Sequence, residues 1–254
     1  FLESIPNVIR DIESYDTTTV RASVGNWNVG HYIKYNSDAK VIFNGDGADE
    51  LMGGYLYFFY APDEECFESE CLNLLNQISH FDVLRSDKSI SSHGLEPRTP
   101  FLDKELTKYY LSIPRKYTNH NTEGRCEKYF IRKAIQLFEP DLLPEDVLWR
   151  TKEAFSDGVS SQDKSWYQII QNHIEDKKTK MIQETDESSY PCHMKPKTFE
   201  QVYYYQIFSN NFINENSGCV KFIFPRYWMP KFVEGATDAS ARTLKVYKKT
   251  VLKK

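Results

Sequence analysis

The amino-acid sequence predicts an α/β fold that is mostly α-helical and contains few strands. Apolar residues recur at spacings of three and four along most of the chain, which is typical of helices packed against a core. One short run of β-branched and aromatic residues, at 41–43, passes directly into a glycine-rich loop. This run predicts a buried strand that ends at a ligand-binding turn.

Helices are predicted on both sides of this strand. Before it, Val8, Ile9 and Ile12 share one helical face, and a second helix is expected over 18–35. After the strand, one helix is predicted to bury Leu72, Leu75 and Ile78. The apolar face of the following helix, which ends before Pro140, is predicted to consist of Cys126, Tyr129, Phe130, Ala134, Leu137 and Phe138.

The C-terminal third predicts two more helices. One has the apolar positions Trp166, Ile169, Ile170 and Ile174. The other begins at Thr198, which forms a capping-box pattern with Gln201, and its apolar stripe is predicted to be Val202, Tyr203, Ile207 and Phe208. Residues 176–197 are rich in Lys, Glu, Ser and Pro, which predicts a surface connection. We therefore predict a partial domain over 1–175, the connection at 176–197, and a helix and tail of the same domain over 198–254.

The single predicted strand implies that the sheet has further members. A lone strand can neither satisfy its own backbone nor cover its side chains. Its neighbours are either unrecognised within these 254 residues or belong to residues outside them. Because the sequence starts at Phe1 in a helical pattern, we expect the second explanation.

Composition excludes several classes of function. The chain has 32 Lys and Arg against 36 Asp and Glu, a formal net charge of −4, so no basic field indicates a nucleic-acid partner. The apolar runs are too short for a membrane span, and the first residues do not resemble a signal segment. The five cysteines are irregularly spaced without a C-x-x-C pair, which favours reduced thiols and a cytoplasmic location over zinc or a disulfide framework.

The segment 41–55, VIFNGDGADELMGGY, is the strongest candidate for chemistry. Gly45 and Gly47 would let a ligand approach the backbone amides. Asp46, Asp49 and Glu50 repel bare phosphates, so a nucleotide here would need a bridging Mg²⁺ ion. A structural turn with acidic residues at the start of a helix explains the pattern equally well. A calcium loop does not, because Ala48 and Asp49 occupy the wrong positions for that register.

The residues also resemble a known family, the glutamine-dependent asparagine synthetases. The loop NGDGADELMGGYLYF is similar to the family pattern S-G-[ED]-G-x-D-E-x-x-G-G-Y. Three other segments match in the same order, and the C-terminal segments YWMP at 227–230 and TDASARTL at 237–244 match as well. The three segments are IESYDTTTVRAS at 12–23, HGLEPRTPFLD at 93–103 and LLPEDVLWRTKEAFSDGV at 142–159.

The resemblance implies an adenine nucleotide α-hydrolase-like domain of the PP-loop, Rossmann-like type. Such a domain would use ATP and Mg²⁺ to convert L-aspartate into β-aspartyl-AMP and pyrophosphate. Ammonia, supplied by a glutaminase domain that these residues do not contain, would then displace AMP. A homodimer is compatible with the resemblance, although the sequence does not set the oligomeric state.

Site roles follow from the resemblance position by position. Asn44, Gly45 and Gly47 would contact the nucleotide, and Asp49 would hold Mg²⁺ on the leaving pyrophosphate. Asp46 would take a proton from attacking ammonia, and Lys152 would neutralise charge on the phosphates. Taken alone, without the resemblance, Lys152 is better explained as a surface lysine and Asp46 as a helix-start acid. Structural ion pairs are the alternative for three other polar residues of the matching segments, Arg98, Asp103 and Arg150.

Some features depart from the family. Asn44 stands where the family has Ser, and Pro97 removes a backbone donor. The sequence has no Ser-Gly-Gly-x-Asp-Ser pyrophosphate loop and no N-terminal Cys nucleophile. We therefore expect these 254 residues alone neither to bind ATP well nor to make asparagine. The alternatives are a catalytically silent interaction module, a related amide-forming ligase such as a β-lactam synthetase and, disfavoured by the charge, a PP-loop tRNA-modifying enzyme.

Overall fold

The computed structural model describes residues 1–121, 125–158, 160, 164–175, 177, 195–214, 228–236 and 238–247. Helices dominate these residues, as predicted. The α-helices are α1 (Ile5–Ile12), α2 (Thr17–Asn36), α3 (Ala48–Met52), α4 (Glu64–Gln77), α5 (Asp82–Ser91), α6 (Lys104–Ser112), α7 (Arg115–Thr118), α8 (Tyr129–Phe138), α9 (Glu145–Leu148), α10 (Phe155–Gly158), α11 (Trp166–Glu175) and α12 (Phe199–Ser209). Short 3-10 turns lie at Leu2–Ser4, Leu56–Tyr60, Ile78–His80, Pro100–Leu102 and Ala241–Thr243.

Two short strands, β1 (Val41–Phe43) and β2 (Glu96–Arg98), pair in a small sheet. The N–H of Glu96 donates to the carbonyl of Lys40 at 2.7 Å, and the N–H of Asn44 donates to the carbonyl of Arg98 at 2.9 Å. Both strands therefore run in the same direction. The sequence pattern did not predict β2, because Pro97 at its centre has no N–H and is rare in strands.

The prediction that β1 is buried is wrong. Val41 is 49% exposed and Phe43 is 79% exposed. A parallel strand becomes buried when neighbouring strands and helices cover both its faces. Among the described residues, β1 pairs with β2 alone. The apolar run at 41–43 therefore predicted the presence of the strand correctly and its burial incorrectly.

The chain forms two compact units, of which the first comprises Phe1–Ile42, His80–Pro97 and Phe155–Trp228. Its core comes mainly from α1, α2, α11 and α12. The buried residues are Ile5, Val8, Ile9, Ile12, Tyr15, Val20, Val24, Trp166, Ile170, Ile174, Tyr204, Tyr205 and Phe208. This confirms the predicted faces of α1 and α11. For α12, Phe208 is buried as predicted, but the other predicted positions are only partly buried because Tyr204 and Tyr205 point into the core instead.

The second unit comprises Phe43–Ser79, Arg98–Ala154 and Met229–Lys254. Leu51 and Met52 of α3 are buried in its core with Tyr110 of α6. Helix α4 buries Phe67, Cys71 and Leu74, whereas the predicted Leu72 is 40% exposed. The predicted face of α4 is therefore wrong at Leu72, whereas Leu75 is partly buried against the core of the second unit. Two rows of apolar residues fit the helical spacing, and the neighbouring elements bury mainly the other row.

Helix α8 is confirmed and ends before Pro140 as predicted, and Phe130 of its predicted face packs against the core of the second unit. The C-terminal end of that face is exposed, contrary to the prediction. Leu137 is 65% exposed and Phe138 is 82% exposed. Periodicity identifies the apolar side of a helix but does not show whether a further layer covers that side.

The predicted connection at 176–197 lies outside the described residues, apart from 177 and 195–197. Among the helices that are described, no helix has both the length and the apolar character needed to cross a membrane.

Candidate functional site

The acidic glycine loop joins β1 to α3 within the second unit. The side-chain oxygen of Asn44 accepts a hydrogen bond from the N–H of Asp46 at 3.1 Å, which forms an Asx turn. Gly47, with a φ of +89°, caps the N-terminus of α3. The chain thus passes from strand to helix between Phe43 and Ala48, and the turn leaves Gly45 exposed.

The two loop glycines meet different surroundings. A Cβ atom on Gly47 would lie 2.3 Å from the Leu102 side chain, so this position is closed by packing. A Cβ on Gly45 would have no neighbour within 4 Å. Of the two glycines, Gly45 is therefore the one whose backbone has open space for a ligand.

The carboxylate of Asp49, in the first turn of α3, binds two lysines. Lys128 Nζ lies 2.6 Å from Oδ1, and Lys152 Nζ is hydrogen-bonded to Oδ2. The Lys152 ammonium also lies 5.5 Å from the centre of the Tyr55 ring. These lysines are 79 and 103 residues from Asp49 in the sequence. The fold therefore assembles a compact cluster of one carboxylate and two ammonium groups.

Glycine at position 54 makes room for this cluster. A Cβ atom there would lie 2.1 Å from Asp49 Oδ1 and 3.0 Å from Lys128 Cδ. Any side chain at Gly54 would therefore push the carboxylate away from Lys128. The backbone N–H of Gly54 also donates to the carbonyl of Asp49 at 2.8 Å, which closes the end of α3.

Electrostatics keep Asp49 ionised. Burial on its own raises the pKa of Asp49, but the charges and hydrogen bonds of Lys152 and Lys128 outweigh burial and hold that pKa well below its ordinary value of 3.8. Since two ammonium groups contact one carboxylate, positive charge is in excess within the cluster. Such an excess favours the binding of an anion.

A second carboxylate, Glu127, fixes the backbone of Lys152. Glu127 is 3% exposed, and its Oε1 accepts hydrogen bonds from Arg132 Nη2 at 2.7 Å and from the Lys152 N–H at 3.0 Å. Burial raises the pKa of Glu127, although the Arg132 guanidinium opposes this effect. Arg132 also donates to the carbonyl of Leu148. Because residues 151–154 have no regular secondary structure, such contacts set the position of Lys152.

The predicted site residues all lie in the second unit. They are Asn44, Gly45, Asp46, Gly47, Asp49 and Lys152. The structure brings Lys152 into direct contact with Asp49 and leaves Asp46 half-buried in the adjacent turn. Asp103, for which a structural role was the alternative, caps α6 by accepting hydrogen bonds from two backbone N–H groups at 3.0 Å.

Sequence reasoning missed Lys128 and Glu127. Neither lies in the segments that carry the family resemblance, and a Glu-Lys pair before a helix is too common to indicate a site. The structure shows a sharper feature, because Lys128 has a φ of +56°, which is uncommon for a residue other than glycine. The residue with this uncommon backbone conformation is therefore the one whose ammonium group binds Asp49.

The sequence is similar to known proteins over most of its length. The family model described as asparagine synthase matches residues 1–70 and 61–209. The glutamine-hydrolyzing asparagine synthetase of Gallus gallus is 44% identical over 98% of this chain and 43% of its own length. The glutamine-hydrolyzing asparagine synthetase of Cricetulus griseus is 42% identical over 97% of this chain and 42% of its own length.

The corresponding Homo sapiens protein is 41% identical over 98% of this chain and 43% of its own length. The chain therefore spans less than half the length of these relatives. The family match and the identities, both of which cover most of the sequence, show that this chain belongs to the asparagine synthase family.

Proposed function

We propose that this chain is the synthetase half of a glutamine-hydrolysing asparagine synthase, a carbon–nitrogen ligase. It would activate L-aspartate with ATP and then amidate it, within a domain of the PP-loop type. The contact between Lys152 and Asp49 is the observation that supports this proposal best. The resemblance assigns both residues to one reaction, and 103 residues separate them in the sequence.

The loop geometry supports a nucleotide at Gly45. This residue is exposed and has open space beside its backbone, whereas Gly47 holds the turn. Asn44 and Gly45 would contact the phosphates from the carboxyl end of β1, where ligands collect in open α/β sheets. Gly47 would contribute through the turn that it stabilises.

Mg²⁺ would bind at this loop only together with a nucleotide, because the phosphates offset the excess of positive charge in the lysine cluster. The described residues contain no group of three or more His, Cys, Asp or Glu side chains that could hold a metal ion by themselves. Mg²⁺ commonly uses one or two carboxylates and completes its coordination with phosphate oxygens and water. Asp49 would be the protein ligand, and the bound ion would neutralise phosphate charge. Since both Asp49 oxygens contact lysines, nucleotide binding would have to redistribute these bonds.

In the proposed first step, the side-chain carboxylate of aspartate attacks the α-phosphorus of ATP, which gives β-aspartyl-AMP and pyrophosphate. Lys152 and Lys128 would stabilise the charge that develops on the phosphates, because adenylyl transfer depends mainly on positioning and electrostatics. In the second step, ammonia attacks the acyl-adenylate and AMP leaves. Asp46 would accept a proton from the ammonia, which a glutaminase domain would supply from glutamine.

The test is product analysis with protein from the complete reading frame. We expect aspartate, MgATP and ammonium to give asparagine, AMP and pyrophosphate in equal amounts. Lys152→Met should lower kcat by about 10²-fold or more, because it removes a charge that acts in the transition state. Lys128→Met should lower kcat less, because Lys152 remains.

Two results would contradict the proposal. Pyrophosphate release with another carboxylate but not with aspartate would indicate a related amide-forming ligase. No pyrophosphate release with any carboxylate would indicate a silent interaction module.

A further inference from the structure

Lys152 lies in a segment that has no backbone hydrogen-bonding pattern of a helix or strand. Residues 151–154 are neither helix nor strand, so their positions depend on contacts with other parts of the second unit. The Glu127 carboxylate fixes the N–H of Lys152, as described above. The other side of Lys152 is fixed by a different element, through its neighbour Glu153.

Glu153 is bonded by the segment 238–247. Arg242 Nη2 lies 3.3 Å from Glu153 Oε1, and the hydroxyl of Tyr247 donates to the same oxygen. The Arg242 and Glu153 side chains are 8% and 19% exposed, so this pair is largely shielded from water and salt. Two donors on one oxygen fix the orientation of the Glu153 side chain.

The segment 238–247 is itself held in place. Ser240 accepts a hydrogen bond from the Arg242 N–H at 3.3 Å, and Leu244 is 4% exposed. The N–H of Val246 donates to the Tyr60 hydroxyl at 3.1 Å. Tyr60 ends the 3-10 turn Leu56–Tyr60, which follows directly after Tyr55, the ring beneath the Lys152 ammonium. The segment thus connects Glu153 to the element that follows the acidic loop.

We propose that Arg242 and Tyr247 are positioning residues, which hold the Lys152 ammonium on Asp49 by fixing Glu153. A group that acts on a transition state has to be held within about 0.5 Å, and a displacement of 1 Å can lower a rate by about 10²-fold. A lysine on an irregular segment needs this support more than a lysine on a helix. The proposal deepens the proposed function and rests on it for its kinetic consequence only.

The first experiment measures the position of Lys152 without any enzyme assay. An amine-acylating reagent reacts with uncharged, accessible amines, and the labelling rate of each lysine is followed by peptide mass spectrometry, with the exposed Lys104 as the internal standard. Lys152 should react slowly in the wild type, because its side chain is 17% exposed and bonded to Asp49. Arg242→Gln and Glu153→Ala should raise its labelling rate by about 10-fold.

Matched variants separate positioning from general stability. Lys231→Gln removes an ion pair of 2.9 Å with the buried Glu70 in the same unit and leaves the contacts of Lys152 intact, so its Lys152 labelling should equal that of the wild type. Glu153→Gln keeps an oxygen that accepts hydrogen bonds from both Arg242 and Tyr247. It should therefore restore slow labelling and most of the activity.

The second experiment uses aspartate-dependent pyrophosphate release by protein from the complete reading frame. Arg242→Gln and Tyr247→Phe should lower kcat by about 10- to 100-fold with little change in the KM for ATP. An effect on stability alone would instead lower the amount of folded enzyme and leave kcat, calculated per folded enzyme, equal to that of the wild type. If Arg242→Gln does not fold, Tyr247→Phe decides, because it removes one hydroxyl only.

The outcomes are distinguishable. Folded variants with wild-type labelling and wild-type kcat would overturn the positioning proposal while the proposed function stands. A wild type that releases no pyrophosphate would overturn the function, and the labelling rates would still report whether Arg242 and Tyr247 position Lys152.

Discussion

At the scale of single residues, Gly47 has the most restrictive position in the loop. Its φ of +89° lies in the left-handed region, and a Cβ atom would lie 2.3 Å from Leu102. Leu102 can move in part, but the backbone strain remains. Gly47→Ala should therefore lower the free energy of unfolding by about 2 kcal/mol, measured by urea denaturation.

Gly45→Ala is the matched control for this prediction. Gly45 is exposed, lies outside the left-handed region and has no neighbour within 4 Å of the added atom. Its replacement should change stability by less than about 0.5 kcal/mol, or stabilise slightly by restricting the unfolded chain. If both variants lost the same free energy of unfolding, the left-handed conformation of Gly47 would not be the cause of the destabilisation.

Residues that are adjacent in sequence were the predictable part of the site. Asn44 through Asp49 could be proposed as site residues because they form one uninterrupted motif. Lys152 could be proposed only through the resemblance, because no local pattern connects it to the loop. Lys128 and Glu127 could not be identified, since their role depends on a contact that only the folded chain creates. A charge pair formed over 79 residues has no signature in composition or periodicity.

At the scale of elements, the start of α12 illustrates a local rule that the structure confirms. The Thr198 hydroxyl accepts a hydrogen bond from the Gln201 N–H at 3.3 Å, and Gln201 Oε1 accepts one from the Thr198 N–H at 3.2 Å. Thr198→Ala should lower the free energy of unfolding of the chain by about 1 kcal/mol. Thr198→Ser, which keeps the hydroxyl, should lower it by a few tenths at most. A larger loss in the serine variant than in the alanine variant would contradict the capping role.

Element type was easier to predict than element surroundings. Capping residues and 3.6-residue periodicity lie within a few residues of each other, so α1, α2, α8, α11 and α12 could be placed from the sequence. Burial depends on distant partners, so the predicted faces of α4 and α8 were wrong in part and the predicted burial of β1 was wrong. Strand β2 was missed because Pro97 at its centre is rare in strands, and because its pairing with β1 joins positions that lie more than fifty residues apart in the sequence.

At the scale of the whole molecule, the buried His120 should make stability depend on pH. It is fully buried, packs between the rings of Phe59 and Phe67, and has no hydrogen-bond partner on either ring nitrogen within the described part of the chain. Burial, with the nearby charges of Lys128 and Arg132, lowers the pKa of His120 from 6.5 to about 3. Between these values the unfolded chain binds a proton that the folded chain does not.

Stability should therefore fall as the pH is lowered from about 7, and the loss from His120 at pH 5 should be roughly 2 kcal/mol. His93, whose pKa is also lowered by burial, acts in the same direction. Glu127 acts in the opposite direction, because burial raises its pKa. The depressed pKa of Asp49 contributes only at lower pH, since its stabilisation is lost below the ordinary value of 3.8.

Comparing the wild type with His120→Met measures how much of the stability lost at low pH comes from His120. The free energy of unfolding, measured by urea denaturation at pH 7 and pH 5, should differ less in His120→Met than in the wild type. An identical difference in both proteins would contradict the prediction, because the other titrating groups are present in both.

The double lysine contact of Asp49 also affects how the protein should be handled. An anion that binds at the loop has to compete with the Asp49 carboxylate for Lys128 or Lys152, because Asp49 already neutralises part of their charge. Multivalent buffer anions such as phosphate and sulfate can do this better than chloride, because they accept several hydrogen bonds at once. Titrations in phosphate buffer would therefore understate the affinity for a nucleotide, and a zwitterionic buffer at fixed ionic strength is the appropriate medium for every assay of this loop.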